Sequence, residues 1–296
     1  MGGISREKEI SILSGRECVK ALRKKKYKVK ILDPKGNFIN EIRKIKPKIV
    51  FNALHGRFGE DGYIQSILES EKIKYTHSGV LASSIAMDKE VSKKIFINKK
   101  INTPKFFVYN YNNSLNIHTL IKKSKINFPI VIKPINEGSS IDVYICAKKN
   151  LNKNLKKLKK YSKILVEKYI PGREIQVAVM NNKALGAIEL KPKRKFYDYY
   201  AKYSSKAKTK HIMPAPMESK KYKEVLRIAR KAHLSLGCKG ITRSDFRYYH
   251  NKFFLLEINT QPGMTNLSLV PEIAAYKGIK FGNLVEWMIK DASCNR

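Results

Sequence analysis

The sequence predicts an α/β layer that passes into α+β layers, and three observations carry this. Short apolar strands alternate with helices in the first third of the chain. Beyond Asp88, strands follow one another with hairpin signals between them. A length of 296 residues leaves room for about two domains, or three compact ones.

Taken in order, a charged helix around 14–26 precedes the strand KVKILD (28–33). A second helix-like stretch leads to the strand KIVFNAL (48–54), then to the glycine-rich HGRFGEDG (55–62) and a helix near 63–71. DKEVSKKIFINKK (88–100) reads as a helix capped by Asp88 and ended by Thr103-Pro104. The strands FPIVIKP (128–134), DVYICA (142–147) and KILVEKYI (163–170) follow, with a lysine-rich helix between the last two. EIQVAVMNNKALGAIEL (174–190) is a hairpin turning at Asn181-Asn182. The polar stretch from Lys191 to about Met217 has no period of its own, and loops of such length are usually lids or disordered. Val225, Ile228, Ala229, Ala232 and Leu236 mark a helix face stopped by Gly237. ITRSDFRYY (241–249) and KFFLLEINT (252–260) form an antiparallel pair, and a last helix runs through NLVEWMIKDA (283–292).

Lys+Arg 61 against Asp+Glu 24 gives a net charge of +37. Such an excess invites nucleic acid, but the lysines are spread along every segment and no zinc-finger, RNP or helix-turn-helix pattern accompanies them. The expectation is a positive field useful for anionic substrates, with no nucleic-acid partner. Cys18, Cys146, Cys238 and Cys294 are scattered without a CxxC, which suits buried, reduced thiols in a cytoplasmic protein. No apolar run is long enough to span a membrane, and none is expected as a partner.

In FFLLEINTQPG (253–263), Glu257 and Asn259 interrupt an apolar strand one residue apart, so both point the same way. A capped strand end facing water would explain them; so would a pair of ligands for a hard cation. Arg243 and Asp245 repeat the spacing on the preceding strand, where alone they would form a cross-strand ion pair. Four polar groups converging from adjacent strands favour a site for Mg²⁺ and phosphates. In VIKPINEGSS (131–140), Lys133 ends an apolar strand, and Glu137-Gly138-Ser139-Ser140 offers amides and hydroxyls to anions, although a plain turn would use the same residues. Lys89 in AMDKE adds a second cation. Glu167, Lys168 and Glu174 fall in LVEKYIPGREI (165–175), which is either an ordinary strand, turn and strand or a hinge that reads adenine and ribose. His55 is a lone histidine after a strand, with packing or capping as its default role.

Together these stretches resemble the D-alanine–D-alanine ligases of the ATP-grasp superfamily. GGISREKEISILSG, NALHGRFGEDG, SGVLASSIAMDK, FPIVIKPINEGSS, VEKYIPGREIQVAV, FYDYYAKYSS, LGCKGITRSDF and FLLEINTQPGMTNLSLVP carry the likeness in the family's order along nearly the whole chain. The resemblance implies an ATP-grasp fold with a Rossmann-like N-terminal unit over 1–87, a nucleotide-binding unit over 88–170 and a unit over 171–296 with lid and metal site. It implies ATP, two Mg²⁺ ions (or Mn²⁺), and two D-alanine molecules joined through an acyl phosphate for peptidoglycan precursors. By resemblance Asp245, Glu257 and Asn259 hold metal. Lys89, Lys133, Ser140, Glu167, Lys168, Glu174 and Lys202 bind the nucleotide. Glu7, Ser139, Tyr203 and Arg243 act in catalysis, and Glu7, His55, Arg243, Gly263, Ser268 and Leu269 border the D-alanines. Family members are commonly homodimers.

Tyr203 stands where ligases forming D-alanyl-D-lactate have phenylalanine, which favours D-alanine as the second substrate. Two departures stand out. Tyr200 replaces the family's usual glutamate, and the family places a strand before the Gly-Gly that here follows Met1; either the start lies upstream of Met1, the favoured expectation, or the N-terminal unit lacks its first strand and leaves Glu7 loosely placed.

Overall fold

The computed structural model describes residues 1–112, 115–192, 209–265 and 267–296. Its first helix, α1 (Lys8–Lys24), begins earlier than the charge pattern suggests. Ser11 and Ser14 lie on its buried face and blur the apolar period. Ser11 Oγ donates to the Ala53 carbonyl at 2.7 Å and accepts the Gly2 amide at 2.8 Å, which satisfies the buried hydroxyl. Helices α2 (Phe38–Ile45) and α3 (Tyr63–Ser70) bracket β1 (Ile49–Val50), which pairs in parallel with β2 (Lys74–Tyr75).

The expected parallel layer is therefore present in its shortest form. KVKILD does not join a ladder among the described residues. Tyr27 and Val29 pack against one apolar cluster and Leu32 against another, so the side chains behave as a strand's would. The backbone is engaged otherwise: the Leu32 carbonyl takes the Met1 ammonium at 2.8 Å, and the Gly3 amide donates to Asp33 Oδ1 at 2.8 Å. Apolar alternation supplies only half of a strand, the other half being a partner backbone.

Helix α4 (Val80–Met87) runs to Asp88, whose carboxylate accepts the amides of Glu90 and Val91 and so starts α5 (Lys89–Asn98). The cap was legible in the sequence. The helix stops before Thr103-Pro104, because Lys100 turns into the left-handed region at φ 54°. An antiparallel sheet follows in the order β3 (Phe106–Asn110), β6 (Lys163–Lys168), β4 (Ile130–Pro134), β5 (Tyr144–Cys146). One face packs Ile130, Ile132, Ile164 and Val166 under α6 (Ile117–Ser124) and α7 (Leu151–Leu158). Strand alternation then puts Val131, Lys133 and Glu167 on the other face.

The third sheet is antiparallel throughout: β11 (Lys252–Asn259), β10 (Ile241–Tyr249), β7 (Arg173–Met180), β8 (Lys183–Lys191), β9 (Lys210–Ile212). The hairpin turns at Asn181, at φ 51°. Strand β9 lies inside the stretch that carries no period, and pairing with Glu189, Leu190 and Lys191 makes it a strand. One face of the sheet buries Ile175, Val177, Phe246 and Leu255 against α8 (Ser219–Ser235) and Phe96 of α5. The opposite face buries Ala178 and Ile188 against α9 (Leu269–Tyr276), α10 (Phe281–Asp291) and Leu22 of α1. The cysteines are free; Cys18, Cys146 and Cys238 are buried and Cys294 is half-buried. Among the described residues, no helix is long and apolar enough to cross a membrane.

Replacing Asp88 with alanine should lower unfolding free energy by about 1 kcal/mol, the usual worth of an N-cap. Urea titration measures it, and an unchanged midpoint would mean that the cap contributes nothing.

Candidate active site

The site starts from an irregularity in β11. Asp245 pairs with Glu257, but the next residue, Phe246, pairs with Leu255, leaving Leu256 as an extra residue. Before this bulge Phe253 and Leu255 are buried; after it Ile258 is buried and Glu257 and Asn259 face outward. The inserted residue therefore flips the parity of the strand. Without it Glu257 and Asn259 would share the core face of Leu255. Arg243 lies opposite Asn259, and Arg243, Asp245 and Arg247 follow one another on the same side of β10.

Two adjoining clefts open beside this strand pair. The larger, roughly 820 Å³ with its mouth, is lined by Val131, Lys133, Ser140, Glu167, Lys168, Glu174, Asp245 and Arg247, among others. The smaller, roughly 510 Å³, is lined by Glu7, Gly138, Ser139, Arg243 and Asn259. Lys89, Glu137 and Glu257 belong to both. The Lys89 ammonium donates to the Glu137 carbonyl at 2.6 Å and lies 3.4 Å from Glu257 Oε2. It stands where the clefts meet.

In the larger cleft Glu167 is the most constrained group. Lys133 Nζ lies 2.6 Å from its Oε1 and Lys93 Nζ 2.9 Å from its Oε2. Burial opposes ionisation of this carboxyl, but the two ammoniums outweigh it and hold Glu167 below the usual carboxylate range. Glu174 pairs with Arg247 Nη1 at 3.2 Å, while Arg247 also donates to the carbonyls of Ile170 and Gly172. Arg247 thus fixes the turn between β6 and β7. The spacing that singled out Arg243 and Asp245 extends to Arg247, a signal present in the sequence.

In the smaller cleft Arg243 grips Asp245 through two bonds, 2.7 and 3.0 Å. Ser139 donates to Glu7 Oε1. A Cβ on Gly56 would meet Glu7 Oε2 at 2.5 Å, and one on Gly138 at 2.9 Å, so two glycines make room for this carboxylate. The loop carrying Ser139 and Ser140 holds both in the left-handed region, along with Asp142. Asp142 anchors it, accepting from Arg6 (3.3 Å), Tyr161 (2.7 Å) and Tyr144 (3.2 Å) and pairing with Lys160 (2.7 Å). Burial pushes the Asp142 carboxyl up, but Lys160 and the tyrosine hydroxyls outweigh this and bring it to about 2.

Some expected residues stand apart. His55 is buried between Glu60 Oε1 (3.0 Å) and Ser14 Oγ (3.2 Å), and Glu60, not His55, lines the smaller cleft. Gly263, Ser268 and Leu269 border neither cleft. Ser268 Oγ accepts the Thr265 amide at 2.9 Å and Leu269 is in the core. Lys202 and Tyr203, with Tyr200, lie outside the described residues. Asp142 carries no spacing signal, since Arg6, Lys160 and Tyr161 are distant in sequence; Glu60 lies only five residues after its partner His55, within HGRFGEDG.

Comparison with known proteins bears on this arrangement. A family model described as D-ala D-ala ligase C-terminus matches residues 95–290. The chain belongs to the D-alanine–D-alanine ligase family. The D-alanine–D-alanine ligase of Pelagibacter ubique is 62% identical over 296 residues, covering 100% of this chain and 97% of that protein. That of Wolbachia pipientis wMel is 48% identical over 299 residues, covering 98% and 92%. Among solved structures, the Bacillus anthracis ligase superposes with a TM-score of 0.87 at 34% identity, covering 98% of this chain and 95% of that one. The same enzyme complexed with ATP gives 0.85 at 30% identity, covering 98% and 94%. The ATP-grasp expectation thus holds for the fold of a ligase family.

Asp142 generates a pH prediction. Its folded carboxyl sits below its ordinary value near 4, so its stabilisation is complete above that value and lost as pH falls toward 2. The gap in urea midpoint between the unsubstituted chain and Asp142→Asn should be largest at pH 5 and close as pH falls through this window. A gap independent of pH would contradict the assignment.

Proposed function

We propose that this chain joins two D-alanines at the expense of ATP, releasing ADP and phosphate, to supply the D-alanyl-D-alanine of peptidoglycan precursors. One observation carries this beyond family membership: the two clefts share Lys89, Glu137 and Glu257. A nucleotide in the larger cleft and a small amino acid in the smaller would meet at that wall, its terminal phosphate against the substrate carboxylate.

The residues divide the work. Lys133 and Lys89 offset phosphate charge, and Ser140 with the loop amides takes phosphate oxygens. Glu174 receives ribose hydroxyls. Glu167, held between Lys133 and Lys93, lines the larger cleft beside Lys168, and its carboxylate is suited to accept from the exocyclic amine of adenine. Glu7, held by Ser139, takes the ammonium of the first D-alanine. That substrate's carboxylate attacks the γ-phosphate and gives an acyl phosphate and ADP. The deprotonated amine of the second D-alanine attacks the carbonyl, Arg243 stabilises the oxyanion, and phosphate leaves as the amide bond forms. His55 acts through Glu60, and the turn carrying Gly263, Ser268 and Leu269 bounds the second substrate.

Asp245, Glu257 and Asn259 fit a divalent cation. Their donors are all oxygen, and both carboxylates already draw a cation, Arg243 and Lys89. Two Mg²⁺ ions, or Mn²⁺ in their place, would be held there and would offset the negative charge of the phosphates. The units 1–87, 88–170 and 171–296 are part of the same proposal, supported by one sheet falling within each. So are a cytoplasmic setting, supported by the free buried thiols, and a homodimer, supported by exposed Phe58, Tyr63 and Leu81.

Phosphate release from ATP should require D-alanine and Mg²⁺, with D-alanyl-D-alanine identified by mass spectrometry; folded protein without this product would sink the proposal. Gly56→Ala places a methyl against Glu7 at a backbone φ of 72°. It should raise the KM for D-alanine by about tenfold or more while leaving the KM for ATP near its original value. Steady-state kinetics in both substrates decide this, and equal effects on both constants would remove Glu7 from the amino-acid site.

A further inference from the structure

Lys93 lies one helical turn after Lys89 on α5, fully buried and outside both clefts. Its ammonium lies 2.9 Å from Glu167 Oε2, donates to Thr103 Oγ1 at 2.6 Å and stands 5.6 Å over the Phe106 ring. Stability gives little reason for it. Burying an ammonium is costly, and an apolar side chain of similar volume commonly serves a core as well or better. What Lys93 changes is the charge that the larger cleft presents. Glu167 and Lys133, at 2.6 Å, would cancel each other at the cleft wall. With Lys93 behind Glu167, two cations share one anion and the group keeps a net charge of about +1.

We propose that Lys93 is a positioning residue for the nucleotide: it compensates and pins Glu167 from behind, so that the positive charge of Lys133 is left uncancelled for the phosphates. This rests on the ATP-dependent ligase proposal above. The geometry separates the roles of the two lysines. Lys133 is in the cleft wall and can touch a ligand; Lys93 acts only through Glu167. Burial lowers Lys93 to about 8 against the pull of Glu167, so it remains largely charged at neutral pH. The shared carboxylate also explains why Glu167 stays ionised in a fully buried place.

The test uses the full chain with Lys93→Met, which keeps the side chain's length without its charge. Steady-state rates with ATP and D-alanine varied separately would be paired with calorimetric titration by a non-hydrolysable ATP analogue and Mg²⁺. The KM for ATP and the analogue's Kd should each rise by about tenfold, with the KM for D-alanine within about twofold. Adding Glu167→Gln to Lys93→Met removes the anion that would then cancel Lys133 and should recover part of the lost affinity. A purely structural lysine would lower the melting temperature without this split and without recovery in the double variant, and that result overturns the proposal. Thr103→Val covers the case in which Lys93→Met does not fold. It withdraws one of the ammonium's acceptors, and a smaller rise in the analogue's Kd is expected; an unchanged Kd counts against the proposal. Failure of ligation with the analogue still bound would refute the dipeptide-ligase proposal and leave the Lys93 test intact. Failure to bind the analogue at all would overturn both.

Discussion

The site depends on one extra residue in one strand. With Leu256 bulged, Glu257 and Asn259 turn from the core side of β11 to the cleft side, where they meet Asp245 and Arg243 of β10. The same residue lets Ile258 enter the core behind them. Sheet parity is binary, so no gradual adjustment could bring both carboxylates to one side while keeping Phe253, Leu255 and Ile258 buried. The bulge meets both demands, and the neighbouring strands hold it in place. Strand β10 is paired on its other edge with β7 over Ile241–Tyr248, which fixes the face that Asp245 presents.

The end of β11 must also be held against the N-terminal part of the chain, and buried amides do this. Asn259 Oδ1 accepts the Gln261 amide at 2.8 Å. Gln261 in turn accepts from Asn52 Nδ2 at 2.7 Å and donates to the Leu54 carbonyl. Asn52 and Leu54 follow β1, so the short parallel ladder has a use beyond its own pairing. It presents backbone and an amide to the strand that carries the acids. Buried polar groups joined this way are worth most when every partner is present, and a network spanning 209 residues of sequence closes only in the folded chain. The Ser14–His55–Glu60 chain does similar work on the other side of the smaller cleft, joining α1 to the glycine-rich turn.

Electrostatics follows from the same crowding. Much of the net charge of +37 sits on exposed lysines along the helices, where water screens it. The cations that matter for the clefts are few and buried or half-buried, and each is partnered: Lys89 with Glu257, Lys133 and Lys93 with Glu167, Arg243 with Asp245, Arg247 with Glu174. An anionic ligand entering such a place exchanges partners with groups already poised, at little cost in reorganisation.

Local pattern alone determined a good deal. The Asp88 cap, the Asn181 turn, the antiparallel pairing of 241–249 with 252–259 and the helix closed by Gly237 all involve residues adjacent or nearly adjacent in sequence. The acids and lysines that line the clefts, Glu167, Glu174, Asp245, Glu257, Lys89, Lys133 and Lys168, stand in stretches that repeat a family pattern. Tertiary structure decided the rest. It left KVKILD without a ladder among the described residues, made a strand of Lys210–Ile212, and turned Glu257 toward Asp245 through a bulge that no alternation announces. It recruited Lys93 and Asp142, whose partners Glu167 and Tyr161 are distant in sequence. The division has a physical cause. Turns and caps are settled by bonds between near neighbours, whereas pairing partners, buried charge compensation and the facing of two clefts exist only once distant segments have been brought together.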